Sequence, residues 1–73
     1  MTVLELISKV RKVKNIRIFR YSNDGSCKYY IAAGTVSYLL IKRMDDIKDL
    51  IVKEYYVDMN NIIINTVLND IDL

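Results

Sequence analysis

An Asp-Gly pair at residues 24 and 25 separates two stretches of alternating side chains, and this feature constrains the fold most. Asp-Gly readily adopts the positive φ angles of a two-residue hairpin turn. Residues 15–21, NIRIFRY, change polarity with period two and are rich in Ile, Phe and Tyr, which is typical of a β-strand. The stretch therefore predicts an antiparallel hairpin whose second strand begins near Lys28.

The register of this hairpin follows from taking Asp24 and Gly25 as the central turn residues. Counting outward places Asn23 opposite Ser26, and the next pairs are Tyr21 with Lys28, Phe19 with Tyr30, and Ile18 with Ile31. One face of the hairpin would then be aliphatic and hold Ile16, Ile18, Ile31 and Ala33. The reverse face would be aromatic and basic and hold Arg17, Phe19, Tyr21, Lys28 and Tyr30.

The chain opens with an amphipathic helix. Thr2 followed by Glu5 has the form of a capping box, and the apolar residues after it recur at helical spacing to about residue 13. These apolar residues are Val3, Leu6, Ile7, Val10 and Val13. The basic residues lie off this stripe, so the helix should bury one face on the sheet.

A second, shorter helix is predicted after Gly34, in SYLLIKRMDDIKDL, with Thr35 or Ser37 as its cap. Its apolar stripe consists of Leu40, Met44, Ile47 and either Leu50 or Ile51. Residues 51–68 either extend this helix or form a second hairpin. Paired tyrosines, β-branched residues and the polar break DMNN favour the hairpin, with strands near 51–57 and 61–68.

These elements predict a single α+β domain over residues 1–73, in the order α-β-β-α-β-β. Its small antiparallel sheet would consist of two hairpins, with the first helix packed on the aliphatic face. The expected core residues are Leu6, Ile7, Val10, Ile16, Ile18 and Ile31. At 73 residues there is material for one core only.

Composition bounds the class of protein. The 52% hydrophobic and 27% charged fractions are those of a folded domain, and no apolar run approaches the roughly 20 residues that span a bilayer. The lone Cys27 fits a reducing compartment. We therefore expect a cytoplasmic protein with no membrane association. Residues 1–28 carry seven basic and two acidic side chains, whereas residues 29–73 carry four and seven.

Catalytic chemistry has little support in the sequence. The chain has no histidine and one cysteine, which excludes a histidine-based triad and a zinc ribbon, and its only glycines are Gly25 and Gly34, so no phosphate-binding loop is present. Asp45, Asp46 and Asp49 lie beside lysines, which is typical of a solvated helix face. We expect no enzyme activity, no bound metal and no cofactor.

The aromatic and basic hairpin face is the one candidate site. Rings and cations on an open sheet can stack bases and neutralise phosphates, as single-stranded nucleic-acid binders do. The same residue types are enriched at protein-interface hot spots. A third interpretation is structural, with Phe19 and Tyr30 forming a cross-strand pair or covered by the second hairpin.

The whole-chain layout resembles small accessory proteins of bacteriophages and mobile elements. The segments that carry this resemblance are TVLELI, IRIFRYSNDGSCKYYIAAG, DDIKDL and VKEYYVDMNNIIINTV. Some such proteins inhibit host defence, anti-CRISPR proteins among them. The resemblance implies a protein that works in the host cytoplasm and binds a host protein by occupancy, without catalysis. A homo-oligomer and, with less support, a nucleic acid are the other partners considered.

Overall fold

The computed structural model describes residues 1–10 and 15–68, which form an α+β fold with one four-stranded sheet. The fold class is as predicted, although the second helix is divided in two. The elements in chain order are α1 (Val3–Lys9), β1 (Asn15–Tyr21), β2 (Lys28–Gly34), α2 (Val36–Lys42), α3 (Met44–Ile47), β3 (Leu50–Asp58) and β4 (Asn61–Leu68).

Helix α1 begins at the predicted capping box. Thr2 Oγ1 accepts from the Glu5 amide at 3.1 Å, and Glu5 Oε1 accepts from the Thr2 amide at 2.9 Å. The helix ends at Lys9, four residues earlier than expected, because Val10 leaves helical geometry at φ −96° and ψ 83°. Val13, the last residue of the predicted stripe, lies outside the described residues.

The first hairpin has the predicted register near its loop and a different one near its base. Tyr21 pairs with Lys28 and Phe19 with Tyr30, as expected, but Ile18 pairs with Ala32. The prediction that Ile18 faces Ile31 is wrong because β2 contains a bulge, which adds one residue and reverses the facing of the residues beyond it. Ala32 is therefore buried in place of Ile31, and Ala33 pairs with Arg17.

The carbonyl of Ile31 at this bulge is bound from outside the sheet. Arg43 Nη2 donates a 3.0 Å hydrogen bond to it. Arg43 separates α2 from α3, and its Nε also lies 2.8 Å from Asp46 Oδ2 in an ion pair. The break between the two short helices thus places a guanidinium where the bulged strand needs a donor.

The Asp24-Gly25 pair lies in a six-residue loop, 22–27, and not in a two-residue turn. The amide of Ser22 donates to the Cys27 carbonyl at 2.9 Å and closes the loop. Asp24 Oδ1 accepts from the Ser22 hydroxyl and from the amide and hydroxyl of Ser26, at 2.6, 2.9 and 2.7 Å. Gly25 has φ +77°, so the positive φ expected of the glycine is present.

The second hairpin confirms the strand interpretation of residues 51–68. Strands β3 and β4 pair in antiparallel fashion around a two-residue turn, Met59 and Asn60. Leu50 and Ile51 belong to β3 and do not continue the helical stripe. Thr35 caps α2 through its Oγ1, and Leu39 and Ile47 are the residues that α2 and α3 bury.

The sheet is mixed, in the strand order β2-β1-β4-β3, because the two hairpins join through a parallel β1–β4 pair. The prediction of an antiparallel sheet is wrong at this junction. Helices α2 and α3 carry the chain from one end of the sheet to the other, so β3 runs in the direction of β2. Since each hairpin reverses direction, β4 must then run parallel to β1.

Helices α1, α2 and α3 pack on one face of the sheet, which we call the helix-side face. Of the expected core residues, Leu6, Ile7, Ile16 and Ile18 are buried, while Val10 and Ile31 are partly buried against the core. Among the described residues, the buried cluster consists of Val3, Leu6, Ile7, Ile16, Ile18, Ala32, Leu39, Ile47, Leu50, Ile62 and Ile64. None of the helices in the described part of the chain has the length and apolarity needed to cross a bilayer.

Candidate interaction surface

The sheet face opposite the helices, which we call the open face, contains all five predicted site residues. Ile16 and Ile18 are fully buried on the helix-side face, so alternation along β1 directs Arg17, Phe19 and Tyr21 the other way. Lys28 and Tyr30 pair with Tyr21 and Phe19 across the hairpin and share their face. The structure thus brings the predicted residues together on one surface.

The rings on this face differ in exposure. Phe19 and Tyr30 form an edge-to-face pair with centroids 6.1 Å apart and planes at 72°, so the expected cross-strand pairing is present. Tyr30 is 65% exposed, whereas Phe19 and Tyr21 are only partly exposed. Phe19 is therefore packed, while the ring of Tyr30 stays accessible. The second hairpin pairs with the other edge of β1 and does not cover Tyr30.

Lys28 and Lys53 lie over the rings of Phe19 and Tyr21, the two aromatic residues of β1 on this face. Lys28 Nζ lies 4.6 Å from the centroid of Phe19 and 5.9 Å from that of Tyr21. Lys53 Nζ lies 4.4 Å from the centroid of Tyr21. Contacts of this kind are worth about 0.5–1 kcal/mol at exposed sites, so they hold both ammonium groups over the sheet.

Sequence reasoning missed the contribution of the second hairpin to this surface. Lys53 was expected in the strand near 51–57, but its side chain was not assigned to the aromatic and basic face. A bulge between Val52 and Glu54 adds Lys53 to β3 and turns it toward Tyr21. Tyr56, which pairs with the neighbouring strand, is 53% exposed. The alternation in EYYVD hinted at a two-faced strand, but only the parallel β1–β4 pairing places it beside Tyr21.

A hydrogen bond joins Asn65 of β4 to Glu54 of β3 on the open face. Asn65, which is 2% exposed, donates from Nδ2 to Glu54 Oε2 at 2.9 Å. The pKa of Glu54 is lowered, first by this bond, then by a hydrogen bond from Tyr56 and by the charges of Lys53 and Lys28. The bond to Glu54 correspondingly raises the pKa of Tyr56. Glu54 is therefore a fixed, ionised carboxylate at neutral pH.

Three cations of the open face have no acidic partner among the described residues. Arg17, Lys28 and Lys53 are exposed, and no carboxylate of residues 1–10 or 15–68 lies within 4.0 Å of their nitrogens. The ion pairs of that part of the chain lie on the helices, between Arg43 and Asp46 and between Lys48 and Asp45. The open face thus carries these three cations and the Glu54 carboxylate, and no ion pair within 4.0 Å joins them.

A shallow cleft lies where β1 and β4 begin and β2 ends. Its volume is about 410 Å³, and it is lined by Asn15, Ile16, Arg17, Ala33, Gly34 and Asn61. The lining supplies no nucleophile and no carboxylate. In the described ranges, no three His, Cys, Asp or Glu side chains converge as metal ligands would.

Comparisons with protein-family models, with curated proteins and with solved structures each returned no match. The resemblance to phage accessory proteins therefore stays a prediction. Among the described residues, the open face is the surface on which rings and charged groups meet.

Proposed function

We propose that this protein is a small interaction module that binds a host protein through its open face and inhibits that protein by occupancy. It would act in the cytoplasm of the host, as phage anti-defence proteins do. The observation that supports the proposal is the one-sided cover of the sheet. The helices pack on one face only, and the other presents tyrosines and three cations that form no ion pair with a described carboxylate.

The size of this face determines what kind of interface it supports. Four strands about 4.8 Å apart and at least seven residues long present a surface of at least roughly 19 by 23 Å, on the order of 440 Å². A standard interface buries roughly 800 Å² on each partner. A few strong contacts must then dominate the affinity, and exposed tyrosines beside cations are the residues that commonly supply them.

A single-stranded nucleic acid fits the face less well. Lys28 and Lys53 already lie over Phe19 and Tyr21, which leaves Tyr30 and Tyr56 as the accessible rings. These two tyrosines lie on the outer strands β2 and β3, three strand spacings or about 14 Å apart. Neighbouring bases cannot stack on rings so far apart, and Glu54 repels a phosphate backbone.

The proposal is tested by affinity capture from a lysate of the native host with three matched baits. The chain supplies its own control, because Tyr29 and Tyr55 are the sequence neighbours of Tyr30 and Tyr56 and belong to the helix-side face. Wild type and Y29A/Y55A should retain the same host protein, whereas Y30A/Y56A should lose it while its melting temperature stays close to that of the control. Equal retention by both double variants would contradict binding through the open face.

Once the captured host protein is identified, a titration of its activity tests whether inhibition occurs by occupancy. Its activity should fall in proportion to added protein and reach full inhibition near one equivalent, since each inhibitor molecule blocks one target molecule. Inactivation by a small fraction of an equivalent would instead reveal turnover and would show that the protein is an enzyme.

A further inference from the structure

The two edge strands of the sheet differ in how they are protected against pairing with another strand. Strand β2 is divided by the bulge at Ile31, with three paired residues on each side, and Arg43 binds the displaced carbonyl. Strand β3, at the other edge, keeps an unbroken register with β4 from Glu54 to Asp58. Because bulges and charged groups at an edge prevent pairing with a further strand, β3 is the more receptive edge.

Part of the β3 edge is already paired. The Val52 amide donates to the Met1 carbonyl at 2.9 Å, and Ile51 forms an antiparallel bridge with Thr2. Within residues 1–10 and 15–68, no main-chain group pairs with the outer side of β3 beyond Val52. The free part of the edge therefore consists of residues 53–58.

The main-chain groups of this free edge can be assigned from the turn that follows it. Residues that flank a two-residue hairpin turn hydrogen-bond to each other, and Asp58 and Asn61 flank the turn of the second hairpin. Since alternate residues of an edge strand direct their N–H and C=O groups outward, those of Val57 and Tyr55 face away from β4. Their side chains are 62% and 45% exposed, so a strand added here would gain main-chain hydrogen bonds and cover apolar surface.

We propose that the free edge of β3 binds a second copy of this chain, and that the two β3 strands pair in antiparallel fashion about a two-fold axis through Tyr55. The two four-stranded sheets would join into one sheet, with both sets of helices on the same face. Residues opposite one another then belong to the same face, which requires the axis to pass through a residue. The dimer does not rest on the proposed function, because pairing of the edges leaves the open face of each copy uncovered.

Charge determines where along β3 the axis lies. An axis through Tyr55 places Glu54 opposite Tyr56 of the second copy and opposes no like charges. An axis through Tyr56 would place Glu54 opposite Asp58 of the second copy, an axis through Glu54 would oppose two carboxylates, and an axis closer to the turn would shorten the paired segment. Glu54 is held in place by Asn65, and like charges directly opposite each other destabilise a strand pair. With its axis at Tyr55 the edge is complementary to itself, which makes a second copy its occupant.

The size of the paired segment sets the strength of the dimer. Residues 53–57 of each copy would pair over about 17 Å, which is far less contact than a stable dimer makes. Each copy also has its own buried core, so folding does not require the partner. We expect a reversible dimer with a dissociation constant on the order of 100 μM.

Sedimentation velocity and NMR amide shifts, both followed from about 10 μM to about 1 mM, test the dimer. The sedimentation coefficient should rise with concentration, and the amide resonances of Tyr55 and Val57 should shift with it. V57P should weaken the dimer at least about tenfold, because it removes an outward N–H at a position where an edge strand tolerates proline. V57T, its matched control, keeps the amide and the β-branched side chain and should dimerise as wild type does.

Y56K tests the register and does not depend on whether V57P folds. With the axis through Tyr55, the introduced ammonium group lies opposite Glu54 of the second copy. The dimer should become about three- to tenfold tighter, although the net positive charge of each copy increases. With the axis through Tyr56, the two introduced ammonium groups would face each other, so a weaker dimer would overturn the proposed register.

Three further outcomes would contradict the dimer. A chain that stays monomeric at about 1 mM would overturn the second copy as the occupant. Equal dimerisation of V57P and V57T, or amide shifts in β2 in place of β3, would show that the dimer forms elsewhere. If the amides of Tyr55 and Val57 become protected from hydrogen exchange only when the captured host protein is added, the edge binds a strand of that protein and the proposal is wrong.

Discussion

One residue, Met59, has a backbone angle that is unfavourable for a non-glycine residue. Met59 has φ 57° in the turn between β3 and β4, and it is 90% exposed. The left-handed region costs a non-glycine residue roughly 1–2 kcal/mol, and no burial of the side chain offsets that cost here. We expect M59G to raise the free energy of unfolding by about 1 kcal/mol, measured by urea denaturation.

Its control is the neighbouring turn residue, Asn60, which does not have a positive φ. N60G should leave stability unchanged or lower it, because glycine there only adds conformational freedom to the unfolded chain. A gain in N60G equal to that in M59G would show that the turn as a whole, and not the backbone angle of Met59, limits stability.

Asp24 is the residue whose protonation the fold perturbs most clearly. Hydrogen bonds from Ser22, and then from the amide and hydroxyl of Ser26, lower its pKa from 3.8 to about 2. A lowered pKa means that the folded state favours the carboxylate, so this contribution to stability is complete above pH 3.8 and is lost as the pH falls toward 2. Carboxyl NMR titration should report a pKa near 2.

Variants in the same loop check the cause. S22A/S26A should move the pKa of Asp24 back toward its ordinary value, because both side-chain donors are removed. D24N should weaken the dependence of stability on pH between 2 and 4. An unchanged pKa in S22A/S26A would mean that the hydroxyl groups do not stabilise the carboxylate.

At the scale of elements, the bulge in β2 depends on the break between α2 and α3. The guanidinium of Arg43 binds the carbonyl of Ile31, which is partly buried. R43M should lower the free energy of unfolding by about 1–3 kcal/mol, since it removes a charged donor and leaves that carbonyl unpaired. Chemical denaturation measures the loss.

Lys48 offers the matched comparison on the same helical segment. Its ion pair with Asp45 is 3.8 Å long and exposed, so K48M should change the free energy of unfolding by less than about 0.5 kcal/mol. If R43M lowered the free energy of unfolding no more than K48M does, the hydrogen bond from Arg43 to Ile31 would not stabilise the fold.

For the molecule as a whole, the centre of stability is the aliphatic seam between the two hairpins. Ile18 is fully buried on β1, with Ala32 on one neighbouring strand and Ile64 on the other. I18A should cost roughly 2–5 kcal/mol through lost burial and an unfilled cavity. A chain of this length has a total stability on the order of 4–11 kcal/mol, so the variant should melt far lower or unfold.

The control is I41A, because Ile41 lies on α2 and is 73% exposed. Its melting temperature should stay within a few degrees of wild type. An I18A variant with the melting temperature of I41A would mean that the seam between the hairpins does not support the fold.

The sequence by itself determined the local elements of this protein. The capping box of α1, the strands of both hairpins and the Thr35 cap all depend on side chains within a few residues of one another. The alternation of β1 also predicted which of its residues would be buried. The five candidate site residues share one face for the same reason, since they belong to one hairpin.

The tertiary structure alone decided the bulges in β2 and β3, the parallel pairing of β1 with β4, and the place of Lys53 above Tyr21. The bulge in β2 is favoured because the guanidinium of Arg43 binds the displaced carbonyl of Ile31. Arg43 lies twelve residues further along the chain, so the residues around the bulge do not indicate this partner. The pairing of β1 with β4 follows from the path of α2 and α3 across the sheet. Contacts between residues far apart in the chain depend on packing as a whole, so a local pattern cannot specify them.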